Sequence, residues 1–185
     1  MIYPIIAYGT PLLKTRATEI EKDSIDLEKL ISDMFETMYH AQGVGLAAPQ
    51  IGLGIRIFVV DAGPMEEEDQ ASDFKKVFIN PVKIEEDGLE WSFEEGCLSI
   101  PGIREDITRN DRIKLKYLDE NWNEQEEVFD GIKARIIQHE YDHLEGILFT
   151  DKLTPIKKRL LRSKLNNIIK GNVKVDYRMK FAIKK

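Results

Sequence analysis

The stretch IKARIIQHEYDHL, residues 132–144, is the part of the sequence from which the fold and the site can be predicted. It predicts a helix that begins near Asp130, a candidate N-cap, and carries the pattern H-E-x-x-H. Residues four apart differ by about 40° around a helix axis, so His139 and His143 project from one face, one turn apart. Apolar residues on the same helix would place that face beside a core.

The elements around this helix predict an α+β fold. A first helix should start at Asp23 or Ser24 and end near Gly43, and a third should start at Thr154-Pro155 and end at Gly171. Candidate strands come in runs, which favours antiparallel pairing. They are 55–60, 77–80, 82–85, 113–118 and 124–129. We therefore expect mostly antiparallel β-sheets packed around a central HExxH helix, with an N-terminal and a C-terminal helix.

Length and composition favour one catalytic domain over residues 1–185. The chain is 42% hydrophobic, and no apolar run reaches the roughly 18–20 residues of a membrane span. Its start has no basic segment before the apolar residues, so we expect neither a secretory signal nor a membrane partner. A lone cysteine, Cys97, excludes an internal disulfide and fits a reducing cytoplasm.

Charge is distributed unevenly along the chain. Residues 1–150 hold 15 basic and 31 acidic residues, a net charge of −16, whereas residues 151–185 hold 12 and 2, a net charge of +10. The basic segment, residues 152–185, is either a surface for nucleic acid or an amphipathic helix whose charges face water. The acidic run Glu66–Asp69 is predicted to be an exposed loop.

The HExxH pattern indicates a divalent metal site. Two imidazoles on one helix face can bind the metal, with Glu140 beside it to take a proton from metal-bound water. The alternative is a chance match with two surface histidines. A catalytic site usually has a third protein ligand and one open position, so that ligand discriminates between enzyme classes.

The third ligands of two common zinc protease classes are missing. Phe149 stands where the longer metzincin motif needs histidine, and Glu145, the last glutamate, leaves no downstream glutamate for a thermolysin-type site. The remaining candidates are His40 and Cys97 upstream and Asp151 and Asp176 downstream. Neither ordinary protease class therefore fits.

Cys97 lies in the polar segment EGCLS, residues 95–99. A lone cysteine is often a small buried hydrophobe, but a thiolate here would complete a His2Cys site. A rival reading, a nucleophilic cysteine with a histidine base, leaves the helical histidine pair and Glu140 unexplained.

Three segments together resemble the peptide deformylase family. They are GVGLAAPQ at residues 43–50, EGCLS at 95–99 and QHEYDHLEG at 138–146, in the order and at spacings typical of that family. With the first and third helices, the likeness covers nearly the whole chain. A nucleotide-binding reading of the first segment fails, because that segment follows a helix and precedes a strand, the reverse of the dinucleotide-binding order.

The resemblance implies a role for each matching residue. Cys97, His139 and His143 would bind one metal ion, natively Fe2+ and often replaced by Zn2+, Ni2+ or Co2+ in preparations. Glu140 would be general base and then general acid, and the Gln50 amide and Leu98 N–H would stabilise the oxyanion. The substrate-binding residues would be Gly43, Gly45 and Arg104, of which Gly45 belongs to the loop that pairs with the substrate backbone.

The implied reaction is removal of the N-formyl group from the formyl-methionine of nascent polypeptides. The resemblance also implies a transient contact with the ribosome through residues 152–185. Two alternatives stand beside this reading. One is a ribosomal RNA-binding module that has lost catalysis, and the other is an unrelated HExxH metallopeptidase.

Four further residues have open roles. Glu95 either orients a metal ligand or forms a surface ion pair, and Arg104 either helps position the peptide or is a plain surface residue. Arg135, one turn before His139, either contacts substrate or neutralises an acid. His40 is expected at a helix end, near the C-terminal dipole.

Overall fold

The computed structural model describes residues 1–65 and 74–182. Its α-helices are α1 (Leu27–His40), α2 (Gly131–Leu144) and α3 (Pro155–Ile169). Its strands are β1 (Ile5–Ile6), β2 (Gly45–Ala47), β3 (Ile57–Asp61), β4 (Lys75–Cys97), β5 (Ile100–Leu118), β6 (Glu124–Asp130) and β7 (Met179–Lys180). Short 3₁₀ helices lie at Pro11–Lys14, Ala48–Ile51, Gly63–Met65 and Phe149–Lys152. The predicted acidic loop at 66–69 lies outside the described residues.

The main sheet has five strands in the order β2-β3-β4-β5-β6, and every neighbouring pair is antiparallel. A separate parallel pair joins β1 to β7. The expected α+β class, with mostly antiparallel strands and helices near both ends of the chain, is therefore confirmed.

Strands β4 and β5 form one long hairpin. Its pairing runs from Ile79 opposite Leu118 to Cys97 opposite Ile100, so that Leu98 and Ser99 form the tip. The prediction of short, separate strands here was wrong. The register shifts at several points along β4, and such bulges break the sequence alternation while the hydrogen-bonded ladder continues.

The region from the first helix to the second motif differs from its prediction in two details. The N-cap of α1 is Asp26, whose side chain accepts a hydrogen bond from the Lys29 N–H (3.1 Å), and α1 ends at His40. Asp23 has a φ of +63° and cannot serve as the predicted cap. Residues 43–50, predicted to be a loop, instead contain β2 and most of a 3₁₀ helix.

Helices α1 and α2 pack on opposite faces of the main sheet. Along β3 the side chains alternate, so that Phe58 and Val60 share a core with α2, whereas Ile57 and Val59 share one with α1. Strand β3 is therefore buried on both faces, and α2 is the central helix that the sequence predicted. The start of α2 agrees with the prediction, with Asp130 at the N-cap position, although its side chain makes no capping hydrogen bond.

Helix α3 covers the part of the hairpin that leads to its tip. Its buried residues Leu161, Leu165 and Ile168 share a third core with residues of β5. The Thr154 cap and the end before Gly171, which has a φ of +70°, agree with the prediction. On the outer side of the helix, Leu160 is 75% exposed. No helix within the described residues has the length and apolar character needed to cross a membrane.

Candidate metal centre

Cys97, His139 and His143 come together between the hairpin tip and α2. One ligand atom from each lies within 4.8 Å of the others, and Cys97 Sγ is 3.3 Å from His143 Nε2. No other such group of three histidine, cysteine or acidic side chains occurs in the described part of the chain. The third member of the group is thus Cys97, rather than the other candidates considered from sequence.

Glu95 orients His139. Its Oε2 lies 3.0 Å from His139 Nδ1, which leaves the opposite ring nitrogen to face Cys97 and His143. Burial alone would raise the pKa of Glu95, but hydrogen bonds from Arg109 and His139 bring it well below its usual range. Glu95 is therefore an ionised, buried partner of a metal-binding residue, and the alternative of a surface ion pair was wrong.

Arg109 ties the hairpin to α2. Its guanidinium donates to both Glu95 oxygens, at 2.6 and 2.9 Å, and to Asp142 Oδ2 at 2.6 Å. Because Asp142 lies between the two histidines on α2, this contact fixes the helix against the strand that carries Glu95. Neither Arg109 nor Asp142 could be predicted from sequence, since nothing local marks an arginine on a strand as the partner of a distant acid.

Arg135 is also part of this buried group. Its Nη1 donates to Glu95 (2.9 Å) and to the Ile107 carbonyl (2.9 Å), and its Nη2 donates to the Trp91 carbonyl (2.8 Å). Of the two roles considered for Arg135, neutralising a neighbouring acid is the one these contacts support.

Glu140 lies in the site with an unsatisfied oxygen. It is buried, and its Oε2 has no hydrogen-bond partner among the described residues. Burial raises the pKa of Glu140 to about 7. Gly45 is directly beside it, because a Cβ atom at position 45 would lie 2.5 Å from Glu140 Oε1. The absence of a side chain at Gly45 is thus what makes room for the Glu140 carboxylate.

Gln50 presents its amide nitrogen to the site. Its Oε1 accepts a hydrogen bond from the Ala47 N–H (2.8 Å), so its Nε2 points towards Cys97 Sγ and Ser99 Oγ, each 3.5 Å away. Leu98 follows Cys97 at the hairpin tip. The structure therefore brings both predicted oxyanion donors next to the cysteine.

A cleft of about 1150 Å³ is lined by Gln50, Cys97, Leu98, His139 and Glu140. Gly43, Gly45 and Arg104 also line it, and Arg104 is hydrogen-bonded to Glu94 (2.7 Å). A Cβ atom at Gly43 would lie 2.9 Å from a Leu98 methyl group, so a side chain at this position would require Leu98 to shift. Of the predicted site residues, only His143 does not line the cleft, because it lies buried beneath it. His40 ends α1 as predicted, and it also reaches the cleft.

The donor set fits a divalent transition metal. A thiolate and two imidazoles suit such ions, and three protein ligands with an open position are the usual pattern of a catalytic metal site. Glu140 lines the same cleft, and its oxygen without a hydrogen-bond partner is consistent with a group bound there, such as water or substrate. Cys97, His139 and His143 therefore form a metal-binding group.

Comparisons with known proteins agree with this site. A family model described as polypeptide deformylase matches residues 2–159. The peptide deformylase of Christiangramia forsetii is 57% identical over 189 residues, covering 98% of this chain and 96% of the relative. That of Cytophaga hutchinsonii is 57% identical over 185 residues, covering 100% of both chains.

Solved structures are similar over most of the chain. The peptide deformylase of Thermotoga maritima has a TM-score of 0.75 at 42% identity, covering 84% of this chain and 99% of that one. The Plasmodium falciparum enzyme has a TM-score of 0.81 at 36% identity, covering 90% and 95%. The matched family segment includes Cys97 and both metal-binding histidines, and we conclude that the chain belongs to the polypeptide deformylase family.

Proposed function

We propose that this protein hydrolyses the N-formyl group of the formyl-methionine that begins nascent polypeptides, releasing formate in the cytoplasm. The observation that carries the proposal is the close group of Cys97, His139 and His143, of which Cys97 and His139 line one cleft with the buried Glu140. Family membership supports the same reaction.

One divalent ion would be held by Cys97, His139 and His143. We propose Fe2+ as the native ion, with Zn2+, Ni2+ or Co2+ able to replace it. When bound, it would lower the pKa of a water molecule and polarise the formyl carbonyl. The ionised Glu95 would keep His139 in the orientation needed to bind.

Glu140 would act as general base and then as general acid. Its carboxylate would accept a proton from the attacking water and deliver it to the departing amine. Burial raises the pKa of this carboxyl above its ordinary value, which favours its holding the proton between the two steps. Its unpartnered Oε2 is available for the proton.

Gln50 and Leu98 would stabilise the negative charge on the formyl oxygen. The Ala47 N–H holds the Gln50 oxygen, so the Gln50 NH2 group is already turned to the site before substrate binds. In comparable sites, loss of one such donor costs roughly 10²–10³ in rate.

The cleft would also bind the peptide. Ile132 and Ile136 line it from the same helix as His139 and Glu140, and they supply apolar contacts for a methionine side chain. Gly43 and Gly45 also line the cleft and carry no side chain, so they would leave room for the peptide backbone, and the exposed Arg104 would help to position the chain.

The test is formate release from formyl-Met-Ala-Ser by the metal-loaded protein. Glu140→Gln should bind metal normally but lose at least about 10²-fold in kcat, because it cannot transfer the proton. Gly45→Ala leaves the Glu140 group intact but displaces it, and we expect a loss in kcat here too. Glu124→Gln, an exposed glutamate on β6, is the control and should behave as wild type.

Three outcomes would contradict the mechanism or the function. Wild-type kcat in metal-loaded Glu140→Gln would exclude Glu140 as base. Activity that survives complete metal removal by chelators would exclude the metal site. Cleavage of unformylated Met-Ala-Ser, without formate release from the formylated peptide, would indicate a metallopeptidase instead.

We also propose that residues 152–185 bind the ribosome. Support comes from exposed cations on α3, of which Arg159, Arg162 and Lys164 form no ion pair with the described residues. Exposed Ile156 and Leu160 lie one turn apart on the same helix and add apolar contact area.

Sedimentation with ribosomes over a salt series tests this contact. The double variant Arg159→Ala/Arg162→Ala should bind more weakly and with a shallower salt dependence, because fewer phosphates are neutralised. Lys114→Ala/Lys116→Ala, which removes two cations from the outer sheet face, is the matched control. Equal binding of both variants would contradict the role of α3.

A further inference from the structure

The segment after α3 returns to the site. Strand β7 pairs with β1, where the Ile5 N–H donates to the Arg178 carbonyl (2.8 Å) and the Ala7 N–H to the Lys180 carbonyl (2.9 Å). This pairing holds residues 174–177 against the cleft. The segment lies beyond residue 159, where the match to the family model ends.

Tyr177 makes the contact that connects this segment to the hairpin tip. Its hydroxyl donates a hydrogen bond to the Leu98 carbonyl at 2.8 Å, across 79 residues of sequence. Its ring packs against the same core as Leu98. Burial raises the pKa of Tyr177 to about 12, so the hydroxyl remains a protonated donor at neutral pH.

Besides side-chain packing and the contact of Gln50 Nε2 with Ser99 Oγ, hydrogen bonds to backbone carbonyls hold the hairpin tip. Leu98 and Ser99 lie between the last paired residues, Cys97 and Ile100. The Ser99 carbonyl accepts from the Tyr8 N–H (2.9 Å), and the Leu98 carbonyl accepts from Tyr177. Because only two backbone dihedrals separate the N–H of a residue from its own carbonyl, holding the Leu98 carbonyl also restricts the direction of the Leu98 N–H.

We propose that Tyr177 is a positioning residue, which holds the Leu98 carbonyl so that the Leu98 N–H stays directed at the oxyanion. This inference rests on the proposed function, in which that N–H is an oxyanion donor. Among the described residues, Tyr177 makes no hydrogen bond to a metal-binding atom. Its contribution is to keep the tip in one conformation before substrate binds.

Tyr177→Phe tests the proposal with little risk to folding, because it keeps the ring and removes only the donor. We expect kcat to fall about twofold to tenfold, the range for one neutral hydrogen bond. KM should change little, since the oxyanion forms only in the transition state. Tyr3→Phe is the matched control, because Tyr3 packs against the same core and, within the described residues, no hydrogen bond joins it to the tip.

A second measurement does not depend on catalysis. Amide hydrogen exchange of a peptide covering residues 97–99 should be faster in Tyr177→Phe than in wild type, whereas peptides from α2 should be unchanged. Metal content should remain that of wild type, because Cys97 keeps its ladder pairing.

Wild-type kcat together with wild-type exchange at the tip would overturn the proposal. A fall in kcat that follows lost metal, or a rise in KM with kcat unchanged, would overturn it as well, because either would assign Tyr177 another role. If wild-type protein releases no formate, the proposed function fails, and the exchange measurement still decides whether Tyr177 holds the tip.

Discussion

Two arginines on strand β5 form nearly the same ion pair in opposite surroundings. Arg109 donates to both oxygens of Glu95 at 2.6 and 2.9 Å, and Arg112 donates to both oxygens of Asp87 at 2.7 and 2.8 Å. The Arg109 and Glu95 side chains are 2% and 4% exposed, whereas those of Arg112 and Asp87 are 50% and 39% exposed. The distances within the two pairs are similar, so the pairs differ in their burial and in the further partners of Arg109 and Glu95.

The difference shows what each pair can do. Water and salt screen the exposed Arg112–Asp87 pair. Exposed ion pairs in proteins generally contribute about 0–1 kcal/mol to stability. The buried Arg109–Glu95 pair loses hydration on folding, so its net stabilisation is small. Removing one partner, however, leaves a buried charge uncompensated. Glu95 of the buried pair also orients His139, and the exposed pair does not contact this histidine. The buried pair is thus best explained by its support of the metal-binding group.

Glu95→Gln should have the largest effect. It removes the negative charge that two arginines and His139 share, and we expect a loss of about 3–5 kcal/mol in unfolding free energy. Metal affinity should fall about 10- to 100-fold, because His139 loses its orienting partner. Urea unfolding and metal titration measure the two effects.

The neighbouring Glu94 provides the control for that experiment. Glu94→Gln breaks an exposed pair with Arg104 and should leave stability within about 1 kcal/mol of wild type. If the Glu94 and Glu95 variants were equally stable, burial would not be the deciding variable.

Arg109→Met should have an intermediate effect. Glu95 keeps Arg135, and Asp142 keeps Lys152 at 3.2 Å, so neither acid is left without a cation. We expect a loss of about 1.5–3 kcal/mol, the range for a hydrogen bond to a charged group, with weaker metal binding. Calorimetric unfolding would measure this loss of stability. A loss larger than that of Glu95→Gln would reverse the expected order of the two variants.

Arg112→Met should have the smallest effect. The change in unfolding free energy should be clearly smaller than that of Arg109→Met, with metal affinity unchanged. Raising the salt concentration to about 1 M, where the screening length is about 3 Å, should shrink even this difference. A loss as large as that of Arg109→Met would show that exposure does not separate the two pairs.

Much of the site could be predicted because its sequence patterns are either local or similar to those of a known family. The spacing of His139 and His143 on one helix needs only the helical period, and Thr154 and Gly171 mark the bounds of α3 by capping preferences. The choice of Cys97 as third ligand came from resemblance, and the structure confirmed it by proximity.

The failures have physical causes. Bulges hid the continuity of β4, since a strand with shifted register loses the alternation that marks it in sequence. Several residues near the start of α1 have side chains that could cap the helix, and only the backbone conformation shows that Asp26 is the N-cap. The role of Gly45 as space for Glu140 depends on how β2 packs against α2.

The sequence by itself determined the helices, the histidine pair and the residue types available to a metal, because these depend on neighbours within a few positions. Tertiary structure alone decided which distant groups support them. Glu95 reaches Arg109 across 14 residues, Arg109 reaches Asp142 across 33, and Tyr177 reaches Leu98 across 79. Such partners carry no local pattern, since each is selected by the packing that brings the hairpin, α2 and the C-terminal segment together.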